Sequence, residues 1–188
     1  MNDYELRAEL EKYHRESYGW ALSCCRRNAA EAENVLQAVY LKALEGKALF
    51  DEQASFKTWL FAVIRNTAID ERRRQWWRRL RMERYAKDIG NAISKENAGE
   101  ATYRSEIRAL FRRSVSVLPR RQREALQLVF YHDLSLAEAA NVMGVSLGSA
   151  RTHYERGKQR LRRQMKGVEI SDESGRGKNQ KAVPTTER

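Results

Sequence analysis

The chain of 188 residues carries 36 lysines and arginines against 25 aspartates and glutamates, a net charge of +11. That excess points to a polyanionic partner, either a nucleic acid or an acidic membrane surface, without choosing between them. No run approaches the roughly 18 apolar residues of a membrane span, and the charged start MNDYELRAELEKYHRES lacks the apolar core of a signal peptide, so a cytoplasmic location is expected.

With two prolines and few alternating β-branched runs, helical spacing dominates and an all-α fold is expected. A first helix is expected over Tyr4–Arg27, with Leu6, Leu10, Tyr13, Trp20 and Leu22 as its apolar positions. A second spans Ala30–Glu45, where Val35, Leu36, Val39, Tyr40 and Leu44 follow the i, i+3/i+4 rule and Gly46 stops it. After the loop GKALFDEQASF, a third helix starts near Ser55 and runs past Arg74. Phe56, Trp59, Leu60, Val63 and Thr67 share one face, while Arg65, Asn66, Asp70, Arg72, Arg73 and Arg74 lie on the polar side. Two physical readings of this helix stay open. Its aromatics either belong to the core, or they join the arginines in holding unpaired DNA. The pair Trp76-Trp77, among seven arginines from Arg72 to Arg84, either covers the edge of the core, or stacks on an opened strand or docks on a partner.

The polar stretch DIGNAISKENAGEATYRSE reads as a linker, which divides the chain into a first domain over 1–87, a linker over 88–106 and a second domain over 107–166. In the second domain Ile107, Leu110 and Phe111 make an apolar stripe. Pro119 stands at a helix start, and the helix RRQREALQLVFYHD is expected to bury Ala125, Leu126, Val129 and Phe130. From 167 onward the composition is that of a disordered tail. The adjacent Cys24 and Cys25 read as packing or surface thiols, and three scattered histidines make no metal site.

SLAEAANVMGVSLGSARTHYERGKQRL carries the most specific local signal. Ser135 and Glu138 form an S-x-x-E capping box, and Leu136, Ala139, Ala140 and Met143 share a face. Gly144 ends that helix, Val145 plugs the turn and Ser146 caps the next helix, which turns Ala150, Tyr154, Gly157 and Leu161 inward. Gly148, Ser149, Arg151, Thr152, His153, Glu155, Arg156 and Lys158 are left outward, and Arg160, Arg162 and Arg163 suit phosphates. This is the pattern of a helix-turn-helix whose second helix enters the major groove, where Arg bonds guanine and Ser or Thr contacts bases or phosphates. A solvated basic face is the simpler reading of any one of these features, but not of all of them together.

Two stretches carry a resemblance. E-A-E-N-V-L-Q-A-V-Y-L-K-A-L, from Glu31 to Leu44, is similar to a D-A-E-D-x-x-Q-x-x-F-x-x-x-W segment, and Phe56, Trp59, Leu60, Val63, Asn66, Asp70 and Arg73 follow F-x-x-W-L-x-x-I-x-x-N-x-x-x-D-x-x-R. Leu118, Pro119, Arg123 and Leu128, then Glu138, Ala140, Gly144, Gly148, Ser149, Arg151, Thr152 and Arg156, fit the matching C-terminal pattern. Over about residues 5 to 165 the chain thus resembles an extracytoplasmic function (ECF) sigma factor of the sigma-70 family. The resemblance implies a region 2 helical bundle and a region 4 helix-turn-helix joined by a flexible linker. It implies promoter-specific initiation with core RNA polymerase, no enzymatic activity and no cofactor. By the same resemblance Glu31, Glu33, Asn34, Gln37 and Tyr40 meet the clamp helices of the polymerase largest subunit, and region 4 meets its flap. The loop from Lys47 to Phe56 holds a flipped base. Phe56, Lys57, Arg65, Asn66, Asp70 and Arg73 contact −10 DNA, and Ser149, Arg151, Thr152, His153, Arg156 and Lys158 the −35 element. An anti-sigma factor is a further partner the family admits.

The chain departs from the family pattern at Asn34 and Ala38, where acidic residues are usual, and at His153 and Glu155; Trp59-Leu60 keeps one member of the aromatic melting pair of primary sigma factors. Apart from the resemblance, a stand-alone helix-turn-helix regulator and a basic structural or RNA-associated protein remain the alternatives.

Overall fold

The computed structural model describes residues 2–50, 52–85, 114–115 and 117–165. The expected linker, the stripe of Ile107, Leu110 and Phe111, and the expected tail lie outside them. Among the described residues there are seven helices and no strand: α1 (Asp3–Lys12), α2 (His14–Cys24), α3 (Ala29–Leu44), α4 (Phe56–Tyr85), α5 (Arg120–Phe130), α6 (Leu136–Met143) and α7 (Leu147–Met165).

The single N-terminal helix expected from the sequence is two. Tyr13, at φ −93° and ψ 4°, separates α1 from α2, and its ring stacks on Phe56 at 6.1 Å. No glycine or proline marks this break, so periodicity ran through it. Asn2 opens α1 with a reciprocal capping box to Glu5. On α2, Ser17, Trp20 and Ala21 at i, i+3, i+4 are buried. Trp20 is fully enclosed, and its indole N–H is satisfied by the Phe61 carbonyl at 3.0 Å. Asn28 caps α3, which buries Ala32, Val35, Leu36, Val39 and Ala43. Leu44 was expected among these and is instead 38% exposed, on the same outer side as Leu41 at 56%. Gly46, at φ +69°, ends the helix as expected.

Helix α4 organises the molecule. Its first half is enclosed on more than one side: Leu60, Phe61 and Ile64 have no exposure, and Phe56 and Ala68 little. Helices α2 and α3 pack on one side of it and α6 on another. From Asn66 on, exposed positions multiply, and the second half of α4 leaves the core.

Helices α5, α6 and α7 pack against one another around Ala125, Leu126, Ala139, Ala140, Met143 and Ala150. Phe130, expected in this core, is 62% exposed and stacks on Tyr154 at 5.5 Å. Leu128, with no exposure, takes the buried position, because α5 is covered by α7 on one side and approached by α2 and α4 on another, through Ser23–Gln127 and Arg65–Glu124. One apolar cluster therefore runs from Trp20, Leu60 and Phe61 through Leu128 and Leu134 to Val142 and Met143. Each such side chain removed from water contributes about 1.5–3 kcal/mol.

Polar contacts fix the register of the two halves. The Lys57 ammonium donates to the His132 carbonyl at 2.7 Å and pairs with Glu16 at 2.5 Å. Arg65 Nε donates to Glu124 at 3.2 Å, with both side chains nearly out of solvent, at 5% and 6% exposure. The hydroxyls of Ser55 and Thr58 each reach Glu138 at 3.4 Å, and Ser23 donates to Gln127. The His132 ring lies edge-on to Phe61 at 4.7 Å and to Trp20 at 5.8 Å. Burial, and after it the Lys57 charge, pushes this imidazole down to about pKa 4, so it is neutral.

Candidate nucleic-acid interface

The helix-turn-helix forms as its residues dictate. The Ser135 hydroxyl accepts from the Glu138 N–H at 3.2 Å, and the Glu138 carboxylate takes the Ser135 N–H at 2.9 Å. These bonds, from backbone and hydroxyl, hold the Glu138 carboxyl below its usual range. Gly144 sits at φ +61° and ψ +47° and sends α6 into the turn. Arg121 was not singled out in the sequence; its guanidinium donates to the Met143 carbonyl at 2.8 Å, satisfying the last turn of α6. Ser146 accepts the Ser149 N–H at 3.2 Å and starts α7.

On α7, Ala150 and Gly157 are buried and Tyr154 and Leu161 half-buried, which leaves the opposite side free. Ser149, Arg151, Thr152 and Arg156 are exposed, and His153 and Lys158 half-buried. The Thr152 hydroxyl donates to the Gly148 carbonyl at 2.9 Å, so its lone pairs face outward as acceptors. Lys158 pairs with Glu155 at 3.0 Å, which tempers its charge. Arg160, Arg162 and Arg163 continue the exposed basic face. No helix of the first half makes a substantial contact with α7.

The residues grouped on α4 are split by the structure. Asn66, Asp70 and Arg73 recur at i, i+4, i+7 and form one exposed stripe. Phe56, Lys57 and Arg65 are engaged within the protein: Phe56 is buried among Tyr13, Phe50 and Trp59, Lys57 is held by Glu16 of α2 and the His132 carbonyl, and Arg65 by Glu124 of α5. Of the two readings of the aromatics, core placement holds for Phe56 and Phe61. Trp59 is half-buried in a ring cluster with Phe50 at 5.6 Å and Phe56 at 5.1 Å. The loop from 47 to 56 tucks Phe50 inward and leaves Leu49 77% exposed.

A third face belongs to α3. Glu33, Asn34 and Gln37 are exposed and Glu31 half-buried. Tyr40 is also half-buried; its hydroxyl meets His14 Nδ1 at 3.1 Å, over a groove of about 400 Å³ that Arg7, Leu10 and Leu44 help to line. Leu41 and Leu44 extend this face with apolar surface that composition alone assigns to the core.

Among the described residues no cluster of His, Cys, Asp and Glu fits a metal ion, and no helix is long and apolar enough to cross a membrane. Both thiols are free and depressed in reactivity. Burial pushes Cys25 up to about 11; for Cys24, burial and the neighbouring Glu124 charge push further in the same direction.

Known proteins are similar to this chain in sequence and in fold. Residues 10–78 match the family model for sigma-70 region 2, and residues 108–161 that for sigma-70 region 4. The ECF RNA polymerase sigma factor SigW of Bacillus subtilis is 24% identical over 152 residues, covering 75% of this chain and 79% of SigW. The ECF sigma factor EcfG of Rhodopseudomonas palustris is 30% identical over 134 residues, 71% of either chain. In fold, the chain is similar to the sigma factor RpoE in its complex with the anti-sigma factor NepR from Bartonella quintana, at a TM-score of 0.63 and 23% identity, covering 86% of this chain and 97% of RpoE. It is also similar to CnrH in complex with the cytosolic domain of CnrY, at a TM-score of 0.59 and 19% identity, covering 88% and 90%. The chain belongs to the ECF group of the sigma-70 family, non-enzymatic sigma factors that direct RNA polymerase to promoters and so initiate transcription.

Proposed function

We propose that this sigma factor reads the −35 element with the exposed face of α7, through Ser149, Arg151, Thr152, His153 and Arg156, with Lys158 and the later arginines on phosphates. The observation that carries this is the orientation of α7: its small and apolar residues are turned into α5 and α6, and every residue of the reading set is at least partly open to solvent. Asn66, Asp70 and Arg73 on the open stripe of α4 contact the −10 element from the second site, and Glu31, Glu33, Asn34, Gln37 and Tyr40 on α3, joined by Leu41 and Leu44, dock on the clamp helices of core polymerase. Region 4 meets the flap. The work is done in the cytoplasm, where polymerase and promoter are. The boundaries at 87, 106 and 166 divide the chain into region 2, linker, region 4 and tail.

Lys57 and Arg65 join the −10 contacts once region 4 moves off α4, which takes Glu124 from Arg65 and the His132 carbonyl from Lys57 and leaves Lys57 its pair with Glu16 of α2, while Phe56 stays packed among Tyr13, Phe50 and Trp59 of the first half and supports that face from beneath. The structural relatives RpoE and CnrH are each in complex with a second protein, and an anti-sigma factor that stabilises the closed pairing of the two halves is a further partner of this chain.

The test is transcription with purified chain and core polymerase on a library of promoter fragments. Promoter-specific transcripts that depend on the chain, and that vanish when Gln37 and Leu41 are both changed to charged residues, are expected. A chain that binds palindromic duplexes as a dimer and yields no transcripts would make it a stand-alone regulator.

A further inference from the structure

Beyond Arg73, the end of α4 carries a surface that neither polymerase docking nor the −10 and −35 contacts use. Trp76 and Trp77 are 55% and 56% exposed, so the pair does not cover a core edge. Their rings meet edge to face at 4.8 Å, and both side chains stay about half open to solvent. On the helix, Arg73, Trp76, Trp77 and Leu80 recur at i, i+3, i+4, i+7 and make one stripe. Counted from the N-terminal side, Asn66, Asp70, Arg73 and Trp77 recur at i, i+4, i+7, i+11, so this stripe prolongs the open face of α4 already assigned to −10 DNA.

Arginines border the stripe on both sides. At 3.6 residues per turn, Arg72 and Arg79 fall on one flank and Arg74 and Arg81 on the other, with Arg78 further round that side toward the back of the helix. Within the segment, Arg74 pairs with Glu71 at 2.8 Å across an exposed surface, a weak contact. Arg72 is held below its usual range by partial burial and then by the charges of Arg120 and Arg26, so the flank toward the body of the protein is crowded with positive charge.

We propose that this segment is a grip for single-stranded DNA at the border of the opened −10 region, with bases stacking on Trp76 and Trp77 and phosphates held by the flanking arginines. The grip rests on the promoter function proposed for the chain. Aromatic faces between cationic rows are what a strand of unpaired bases requires, because bases offer flat apolar faces and the backbone one charge per nucleotide. A duplex hides those faces, and the tryptophans would then meet only groove edges. An anionic membrane suits a basic amphipathic helix as well, but the stripe is continuous with a DNA-contacting face, and that decides for nucleic acid. The grip also supplies aromatic surface that the melting pair lacks at Leu60, which is buried.

The experiment uses holoenzyme made from full chain and core polymerase. Affinity is measured for a promoter fork with an unpaired −10 strand, for the same promoter fully paired, and for vesicles of phosphatidylcholine and phosphatidylglycerol. The double variant Trp76→Ala/Trp77→Ala should lose at least about 5-fold in fork affinity while core polymerase binding, paired-promoter binding and thermal stability stay as in the wild type. Trp76→Phe/Trp77→Phe should retain most of the affinity, since a phenyl ring still stacks. Arg78→Gln/Arg81→Gln should flatten the salt dependence of fork binding by about 0.7 in the log–log slope for each phosphate no longer neutralised. Unchanged fork affinity in the alanine variant overturns the grip, as does an equal loss on paired DNA, or a tryptophan-dependent loss confined to vesicles. Each of these is read with wild-type transcripts being made. A wild-type holoenzyme that makes none overturns the promoter function itself, and the grip with it.

Discussion

Replacing Glu124 by alanine should open the molecule before it unfolds either half. The Glu124 carboxylate, 6% exposed, receives Arg120 Nε at 2.7 Å, Arg65 Nε at 3.2 Å and an Arg121 nitrogen at 3.7 Å. Arg120 and Arg121 lie on its own helix, and removing those two pairs costs about 0.3–0.5 kcal/mol each. Arg65 comes from α4 and is 5% exposed. Without Glu124 it is a buried, uncompensated cation facing two more arginines, and removing one partner of such a pair costs about 3–5 kcal/mol. The larger cost falls only on the arrangement in which the halves touch, so separation relieves it. At about 1.4 kcal/mol per decade, the closed-to-open ratio drops by about two to three and a half powers of ten. Small-angle scattering of the full chain should show a larger radius of gyration. Cys24, whose thiol is suppressed by burial and by Glu124, should react faster with a thiol reagent. The double variant Arg65→Met/Glu124→Leu, which replaces the pair by apolar volume, should close again. A scattering curve and labelling rate identical to the wild type in Glu124→Ala would mean that the ion pair contributes nothing to holding the halves together.

The pH dependence of stability has a fixed sign at His132. Its folded pKa is lowered from 6.5 to about 4 by burial, then by Lys57, with Glu16 and Asp133 pulling the other way. The unfolded ring therefore binds a proton first, and the closed arrangement loses up to about 3 kcal/mol as pH falls from 6.5 toward 4, while this group adds no slope above 6.5. A melting temperature that stays level across that interval, or a drop unchanged in His132→Phe, excludes the assignment. Gly157→Ala should lower stability by about 1 kcal/mol, since the overpacking penalty outweighs the helix-propensity gain. Its Cβ would stand 3.0 Å from Leu126 and 3.1 Å from the Gln122 carbonyl on α5, so a higher melting temperature would show that α5 yields. Arg151→Ala should cost about 1–3 kcal/mol of discrimination at one −35 position, and an equal weakening on every promoter sequence would make it a phosphate contact instead.

The helix-turn-helix could be read from the sequence because each of its parts is local: Ser135 with Glu138, Gly144 at the turn, Ser146 before α7. Such signals need only a few neighbouring residues. What escaped depended on partners far along the chain. Arg65 looks like any arginine on a polar helix face until Glu124 arrives from 59 residues away. Leu128 and Phe130 are equally apolar, and only the packing of α5 between two layers sends one inward and the other out. Tyr13 stands at a helix break that no glycine or proline marks, and its ring stacks there on Phe56, 43 positions along the chain. At the α3 face, Leu44 follows the periodic pattern of the buried residues, and only the packing of the helix shows that it lies outside with Leu41.

Lys57 and Arg65 cannot serve two masters at once. On the −10 role proposed for them, while the His132 carbonyl and Glu124 engage them a free copy of this protein meets the chromosome with its C-terminal reader alone. Its hold on a chance match is then reduced by whatever fraction of molecules is shut, roughly 100-fold for a preference near about 2.7 kcal/mol. Unassembled copies should therefore wander over the genome without settling, and commitment to a site should begin only when the large enzyme has prised the halves apart.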